Sequence, residues 1–281
     1  MRKILIPLLA LFLSLALNAQ PPVPKSAVFA GQTIDFSRPD FYERMDRELI
    51  AFTYMHSTSI LMLKRSARLF RFVEPILKAN GLPDDLKYLM VIESNLDPKA
   101  VSSAGAAGLW QFTKSTASSY GLEVNSEVDE RYNVEKETIA ACSFFKDAYA
   151  KYNDWFTVAA SYNAGQNGIS RRRDEQKQDS ALDLWLTEET SRYMFRLIAA
   201  KMLFENPKAF GFRFEASDAY PYVPFKEIVE VKGPIPSLVD FALEHGVTYK
   251  ALKEHNLWLR SDKLTNKAGK TYKIIIPASS R

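Results

Sequence analysis

The sequence predicts a mainly α protein that ends in a small βααβ module. Three observations carry this. Apolar residues recur at helical spacing through most of the chain, as in Leu86, Leu89, Met90 and Glu93, which follow an i, i+3, i+4, i+7 pattern. A second such stretch, from about Asp154 to Asn163, stacks Trp155, Val158, Ala159 and Tyr162 on one face and stops before Gly165, which suits a C′ glycine. Beyond the Pro- and Tyr-rich run Ala219-Tyr220-Pro221-Tyr222-Val223-Pro224, the pattern changes. There a strand-like Ile228-Val229-Glu230-Val231, helices near 237–245 and 249–256, and a closing strand at 272–276 follow one another.

From the start of the chain, Arg2 and Lys3 precede an apolar run from Ile4 to Leu17 and small residues near Ala16 and Ala19. That is the layout of a secretory signal over residues 1–19. The run is shorter than the roughly 20 residues an ordinary membrane-spanning helix needs. Pro21-Pro22-Val23-Pro24 reads as an extended leader, and residues 20–80 as an N-terminal helical extension whose helices, rich in Leu, Phe and Met, run from about Pro39 to Asn80. Within it Leu69, Phe70, Phe72, Val73, Ile76 and Leu77 form a broad apolar face suited to a core.

The stretch Pro83–Glu93 is the first with chemistry in it. Pro83 suits the first helical position, and Asp84 and Asp85 suit the positive end of the dipole. Tyr88, Val91 and Ile92 make the remaining faces apolar, so the helix reads as buried, and Pro98 disfavours helix at Asp97. Glu93 falls on an apolar stripe, and burial raises a carboxyl pKa, as a general acid requires. A buried Glu that caps or pairs with an Arg fits the same pattern. Next come Gly105-Ala106-Ala107-Gly108-Leu109-Trp110-Gln111-Phe112. The glycines permit a tight turn, Trp110 and Phe112 carry flat apolar faces, and Gln111 carries a donor and an acceptor. Sugars, with apolar ring faces and hydroxyl edges, suit that mixture, as a packed turn also does.

Glu93-Ser94, then Ser102 with the Gly105–Phe112 run, then Ala160-Ser161-Tyr162-Asn163-Ala164-Gly165, then Glu188-Glu189-Thr190-Ser191-Arg192-Tyr193, resemble the lytic transglycosylases, in particular their membrane-bound type D branch. The resemblance implies a lysozyme-like (goose-type) helical catalytic domain over residues 81–215, a linker at 216–225 and a LysM-like module at 226–281. It implies cleavage of the peptidoglycan bond between N-acetylmuramic acid and N-acetylglucosamine, with Glu93 as acid and then base and a 1,6-anhydro product. It also implies that Ser102 and Gln111 bond sugars near the cleavage point, that Tyr162 orients the acid, and that Asn163 and Glu189 bind substrate. Ser94 is expected to bond backbone or a structural neighbour. The tail lacks the Gly-Asp-Thr-Leu turn usual in LysM modules, carrying Gly233-Pro234-Ile235-Pro236 instead, so glycan binding and a purely structural role both stay open for it. Members of this branch are often lipoproteins, and no cysteine follows the signal here, so a lipid anchor is not expected and a periplasmic location is.

A hydrolytic muramidase would need a second carboxylate. Asp97, Asp129, Glu130 and Glu189 are the candidates, with Asp97 expected in a turn and Asp129-Glu130-Arg131 expected as a solvated cluster. A non-catalytic cell-wall binder is the remaining class.

Composition closes off other functions. The chain has 37 basic and 33 acidic residues, a balance that argues against nucleic acid as a partner. Arg171-Arg172-Arg173 is expected in a solvated loop. His56, His245 and His255 have no metal-ligand spacing, and the single cysteine, Cys142, sits in an apolar stretch and reads as core. No phosphate loop or nucleophile elbow is present. Neither a cofactor nor a metal is expected. The expected partner is the glycan strand, with association to the cell wall or outer membrane.

Overall fold

The structure, a computed structural model, describes residues 20–267 and 269–278; the signal expected at residues 1–19 lies outside them. Along the chain the elements begin with β1 (Ser26–Phe29), β2 (Gln32–Asp35), α1 (Pro39–Tyr54), α2 (His56–Ala79), α3 (Lys87–Ser94) and α4 (Lys114–Ser119). They continue with α5 (Val134–Tyr152), α6 (Trp155–Ala164), α7 (Gln166–Gln176) and α8 (Glu188–Glu205). The tail holds β3 (Phe225–Val231), α9 (Leu238–Glu244), α10 (Tyr249–His255) and β4 (Tyr272–Pro277), so the mainly α class and the closing βααβ order are both observed. Among the described residues no helix is long and apolar enough to cross a membrane.

Two compact units form, and they do not follow chain order. One joins the described residues up to Lys64 with Tyr152–Asp218, and the other joins Arg65–Lys151 with the chain from Ala219 onward.

In the first unit, β1 and β2 make an antiparallel hairpin with Val28 opposite Thr33. Its two-residue turn places Ala30 and Gly31 at φ 51° and 81°, the handedness that matches strand twist. Period-2 alternation buries Phe29 and Ile34. Helix α1 packs along α8, with Met45 and Leu49 buried and the Phe41 ring edge-on to Phe195 at 5.4 Å. Between these helices Glu48, only 1% exposed, accepts a 2.6 Å hydrogen bond from Arg192 Nε. Asp154 caps α6 by accepting from Thr157 N at 3.0 Å, and Thr187 caps α8 by accepting from Thr190 N. Gly165, at φ 79°, is the cap residue of both α6 and α7. The Arg171–Arg173 run lies within α7, so the expected loop is a helix; Arg171 pairs with Glu175 one turn on, and Arg173 with Asp179.

In the second unit, the predicted acid helix opens with a 3₁₀ turn at Asp84–Leu86 before α3 proper, and it ends at Asn95, whose φ of 52° breaks the helix ahead of Pro98. Leu69, Val73 and Leu77 of α2 are buried, as expected of a core face, and Phe70 and Ile76 are half-buried, but Phe72, expected on the same face, is exposed. Cys142 is a buried thiol on α5. The Ala219–Pro224 segment is fixed to α2: Arg68 Nε donates to Pro221 O at 3.1 Å, and the Arg71 guanidinium lies 4.0 Å from the Tyr222 ring centroid. The βααβ module pairs β3 with β4 antiparallel, Ile228 opposite Ile275, and encloses Leu238, Ala242, Leu252, Trp258, Leu259, Ile274 and Ile276. Ala107, Val128 and Tyr132, from far upstream, belong to the same core.

Candidate functional site

Helix α3 buries Lys87, Tyr88, Leu89, Met90, Val91, Ile92 and Ser94, leaving Glu93 as the one residue of the helix that is not buried. The sequence pattern places it on an apolar stripe; in the structure it is half-buried, on the last turn of an otherwise enclosed helix. Ser94 Oγ donates to Met90 O at 2.9 Å, the backbone bond expected of it. Arg65 Nη1 donates to Asn95 O at 3.0 Å and ties α2 to the end of α3.

The glycine-rich loop follows. Gly108 has φ 83°, and a Cβ there would meet Arg131 O at 1.7 Å and Glu137 Oε2 at 2.5 Å, so only glycine fits. Ala107 N donates to Phe112 O and Gly108 N to Ala100 O, each at 3.1 Å. Ser102 is exposed and binds the loop across its neck: its N–H donates to Ala106 O at 2.9 Å and its Oγ accepts from Ala106 N at 3.1 Å. Gln111, half-buried at φ 51°, donates its side-chain Nε2 to Gly108 O (2.8 Å) and Ala100 O (3.1 Å). Both amide hydrogens are therefore used in closing the loop, and Oε1 is the side-chain atom left to face a ligand.

Two expectations for this loop are corrected. Trp110 and Phe112 offer no face to a sugar: both are buried, Trp110 completely, with its Nε1 donating to Thr138 Oγ1 at 3.0 Å and its ring against Phe145. The cluster Asp129-Glu130-Arg131 is not solvated but buried. Arg131 Nε and Nη2 donate to Asp129 Oδ1 (2.9 Å) and Oδ2 (2.8 Å), while Nη1 reaches Gly105 O (2.8 Å) and Phe112 O (3.1 Å). Glu130 accepts from Glu123 N at 2.8 Å and pairs with Lys136. A surface reading follows from charge alone; what it misses is that both Asp129 carboxylate oxygens and two loop carbonyls converge on one guanidinium, which lets the charges be buried together.

Sequence reasoning also missed Glu137, fully buried beneath the loop on α5, where Oε2 accepts from Trp110 N at 3.2 Å. Burial pushes its carboxyl group well above the usual range; bonds from Trp110 and Leu109 N–H oppose that, and the Asp129 charge adds to it.

In the other unit, Asn163 and Glu189 are brought together. Thr190 Oγ1 donates to Asn163 Oδ1 at 2.8 Å, and Asn163 Nδ2 reaches Glu189 Oε1 at 3.5 Å, the long limit of a hydrogen bond. They line a cavity of about 260 Å³ with Ala164, Arg172, Leu186, Thr187 and Thr190. Tyr162, on the last turn of α6, is half-buried. Trp185, next to the cavity residue Leu186, is 85% exposed, yet its backbone is held on both sides by Gln176: N donates to Oε1 at 2.7 Å and O accepts from Nε2 at 3.1 Å. Glu93, Ser102 and Gln111 belong to one unit, and Tyr162, Asn163 and Glu189 to the other.

Set beside known proteins, residues 72–184 match the transglycosylase SLT domain, and residues 227–280 match the soluble lytic transglycosylase C-terminal LysM-like domain. The chain therefore carries a transglycosylase SLT domain followed by a LysM-like domain. It is homologous to membrane-bound lytic murein transglycosylase D of Escherichia coli (strain K12), at 27% identity over 198 residues, 68% of this chain and 43% of that protein. A shorter match, 34% over 125 residues, joins 43% of this chain to 9% of the peptidoglycan transglycosylase gp16 of Escherichia phage T7. Among solved structures a lytic transglycosylase Slt from Pseudomonas aeruginosa gives a TM-score of 0.41 at 18% identity, over 54% of this chain and 26% of that one, a likeness that carries no argument. The chain spans less than half the length of the type D relative it matches.

Proposed function

We propose that this protein is a peptidoglycan lytic transglycosylase in which Glu93 is the catalytic acid and base. The observation that carries the reading is Glu93 as the one residue of α3 that is not buried. At the C-terminal end of a helix the dipole disfavours an anion, which suits a carboxyl group that must hold a proton until it is needed.

In the proposed reaction Glu93 donates its proton to the glycosidic oxygen as the bond from that oxygen to C1 of the muramoyl residue breaks. The C6 hydroxyl oxygen of the same residue bonds to C1, and its proton passes to the Glu93 carboxylate. Atoms balance without water: one strand end carries a 1,6-anhydro ring, the other a free hydroxyl, and Glu93 is again protonated. Substrate-assisted routes of this kind depart from the two-carboxylate pattern. Ser102, Gln111 Oε1, Tyr162, Asn163 and Glu189 are assigned to glycan contacts, and the exposed Trp185 to stacking on a sugar face beside the 260 Å³ cavity.

Support for a single carboxylate comes from how three of the four other candidates are used; the fourth, Glu189, is assigned to substrate binding. Asp97 accepts from Lys99 N at 2.9 Å in a turn and lies 3.7 Å from Arg65. Asp129 has both oxygens on Arg131, and Glu130 is held by Glu123 N and Lys136. The homologues' names are those of murein and peptidoglycan enzymes, which agrees with action on the glycan strand in the periplasm after export.

The decisive experiment is mass spectrometry of muropeptides released from purified peptidoglycan. Products lighter by one water than reducing muropeptides establish the transglycosylase. Reducing ends would mean hydrolysis, and no release from folded protein would mean a binding role.

A further inference from the structure

We infer that the C-terminal βααβ module is a positioning element for the Gly105–Phe112 loop, acting through the segment 123–132, rather than a separate glycan-binding appendage. This rests on the reading of that loop, with Gln111, as part of the glycan-cleaving machinery.

The connection can be followed bond by bond. The module grips segment 123–132 along its length. Glu123 Oε2 accepts from Lys270 Nζ at 2.8 Å and from Tyr272 OH at 2.9 Å. Glu127 Oε2 accepts from Thr265 N (2.7 Å) and Thr265 Oγ1 (2.9 Å). In the backbone, Arg260 N donates to Glu127 O at 2.8 Å, Asp129 N donates to Trp258 O at 2.9 Å, and Val128 bridges Leu259. The Arg260 guanidinium covers the Tyr132 ring at 4.3 Å. The carboxylate of Asp129, fixed in this way, orients Arg131, and the remaining arm of Arg131 holds the carbonyls at the two ends of the loop, Gly105 and Phe112. A guanidinium can do this because its donors form a rigid fork, so two point at the carboxylate while a third points away. Ala107, inside the loop, is itself part of the module's core.

Two aromatic side chains of the module favour the same reading. Trp258 and Tyr272 stack with ring centroids 5.5 Å apart and are buried in the shared core, so neither presents a face to a sugar.

The test uses the full chain. The double variant Glu123→Ala/Glu127→Ala removes the side-chain ties of Lys270, Tyr272 and Thr265 without touching the loop, and Arg131→Lys keeps the charge but loses the fork. Thermal melting first selects folded protein. Hydrogen exchange at the amides of Ala107 and Gly108 is then read beside kcat, KM and pelleting on purified sacculi. The expected result is exchange faster by about tenfold in both variants, the size of a local opening eased by a few hydrogen bonds. With it kcat falls while KM and pelleting stay at wild-type levels. Unchanged exchange at these amides overturns the inference, as does a loss of pelleting with loop protection and kcat intact, which would make the module a glycan binder. If the wild-type protein released no muropeptides, the reading of the activity would fail while the exchange arm still decided whether the module holds the loop.

Discussion

The carbonyl oxygen of Arg131 occupies the space where residue 108 would carry a Cβ, 1.7 Å from that point. Two stretches of chain therefore meet backbone to backbone, and the residue at 108 is decided by that contact as much as by its φ of 83°. Gly108→Ala should cost roughly 2–5 kcal/mol, the sum of a left-handed conformation for a residue with a Cβ and overpacking against a backbone atom that cannot rotate away. Chemical denaturation measures it; a loss below about 1 kcal/mol would show that the loop and the 129–132 segment separate more easily than their bonding implies.

Glu93→Gln keeps the shape of the side chain and removes the proton. Because Glu93 is half-exposed, the melting temperature should change little, whereas anhydro-muropeptide release should drop by at least ~10²-fold, the lower range for general acid catalysis. Wild-type turnover in this variant would remove Glu93 from the mechanism.

Glu137 supplies a pH dependence. Its carboxyl group is held above the ordinary 4.5 by burial, so the folded state binds its proton more tightly than the unfolded chain does. The stability this contributes is fully present below 4.5 and is lost as pH rises through the raised folded value. Glu137→Gln, neutral at every pH, should melt with a flatter profile toward the alkaline side than wild type. Parallel profiles for the two proteins would mean that Glu137 is not held neutral.

Asn163 accepts the Thr190 hydroxyl and leans toward Glu189. Asn163→Ala leaves that hydroxyl without its acceptor, which should cost about 1 kcal/mol of stability. It should also raise KM for soluble glycan several-fold with a smaller change in kcat, because a ground-state contact is removed. A fall in kcat alone would assign Asn163 to the chemical step.

In the first unit Arg192 answers the buried carboxylate of Glu48. Arg192→Met keeps the stem but strands the charge. With the guanidinium partly exposed, the expected loss is about 2–3 kcal/mol, toward the low side of what breaking a buried pair costs. Urea unfolding of variant and parent checks it.

Much of this fold was legible because its boundaries are marked by local chemistry. Asp154 caps α6 through its own side chain, Gly165 ends it with a positive φ, and the strand–helix–helix–strand order of the tail follows short-range patterns. What escaped depends on partners distant in sequence. The hairpin turn at Ala30-Gly31 lacks the Asn-Gly or Asp-Gly signal that usually marks its type. Trp110 turns inward because Thr138 and Phe145 await it on α5, and Asp129 and Arg131 are buried because loop carbonyls and a module more than a hundred residues downstream cover them. Of the site residues, Asn163 and Glu189 share a cavity wall, a proximity that no spacing rule contains.

The interleaving of the two units bears on how the protein is made. The hairpin and α1 cannot complete their packing until α6 and α8 have been synthesised, and Ala107, Val128 and Tyr132 wait for the strands that close the chain. The first unit has all its residues once Asp218 is made, whereas the second waits for β4, and both depend on contacts of long sequence separation that form slowly. A nascent chain of this design brings its two units to completion one after the other.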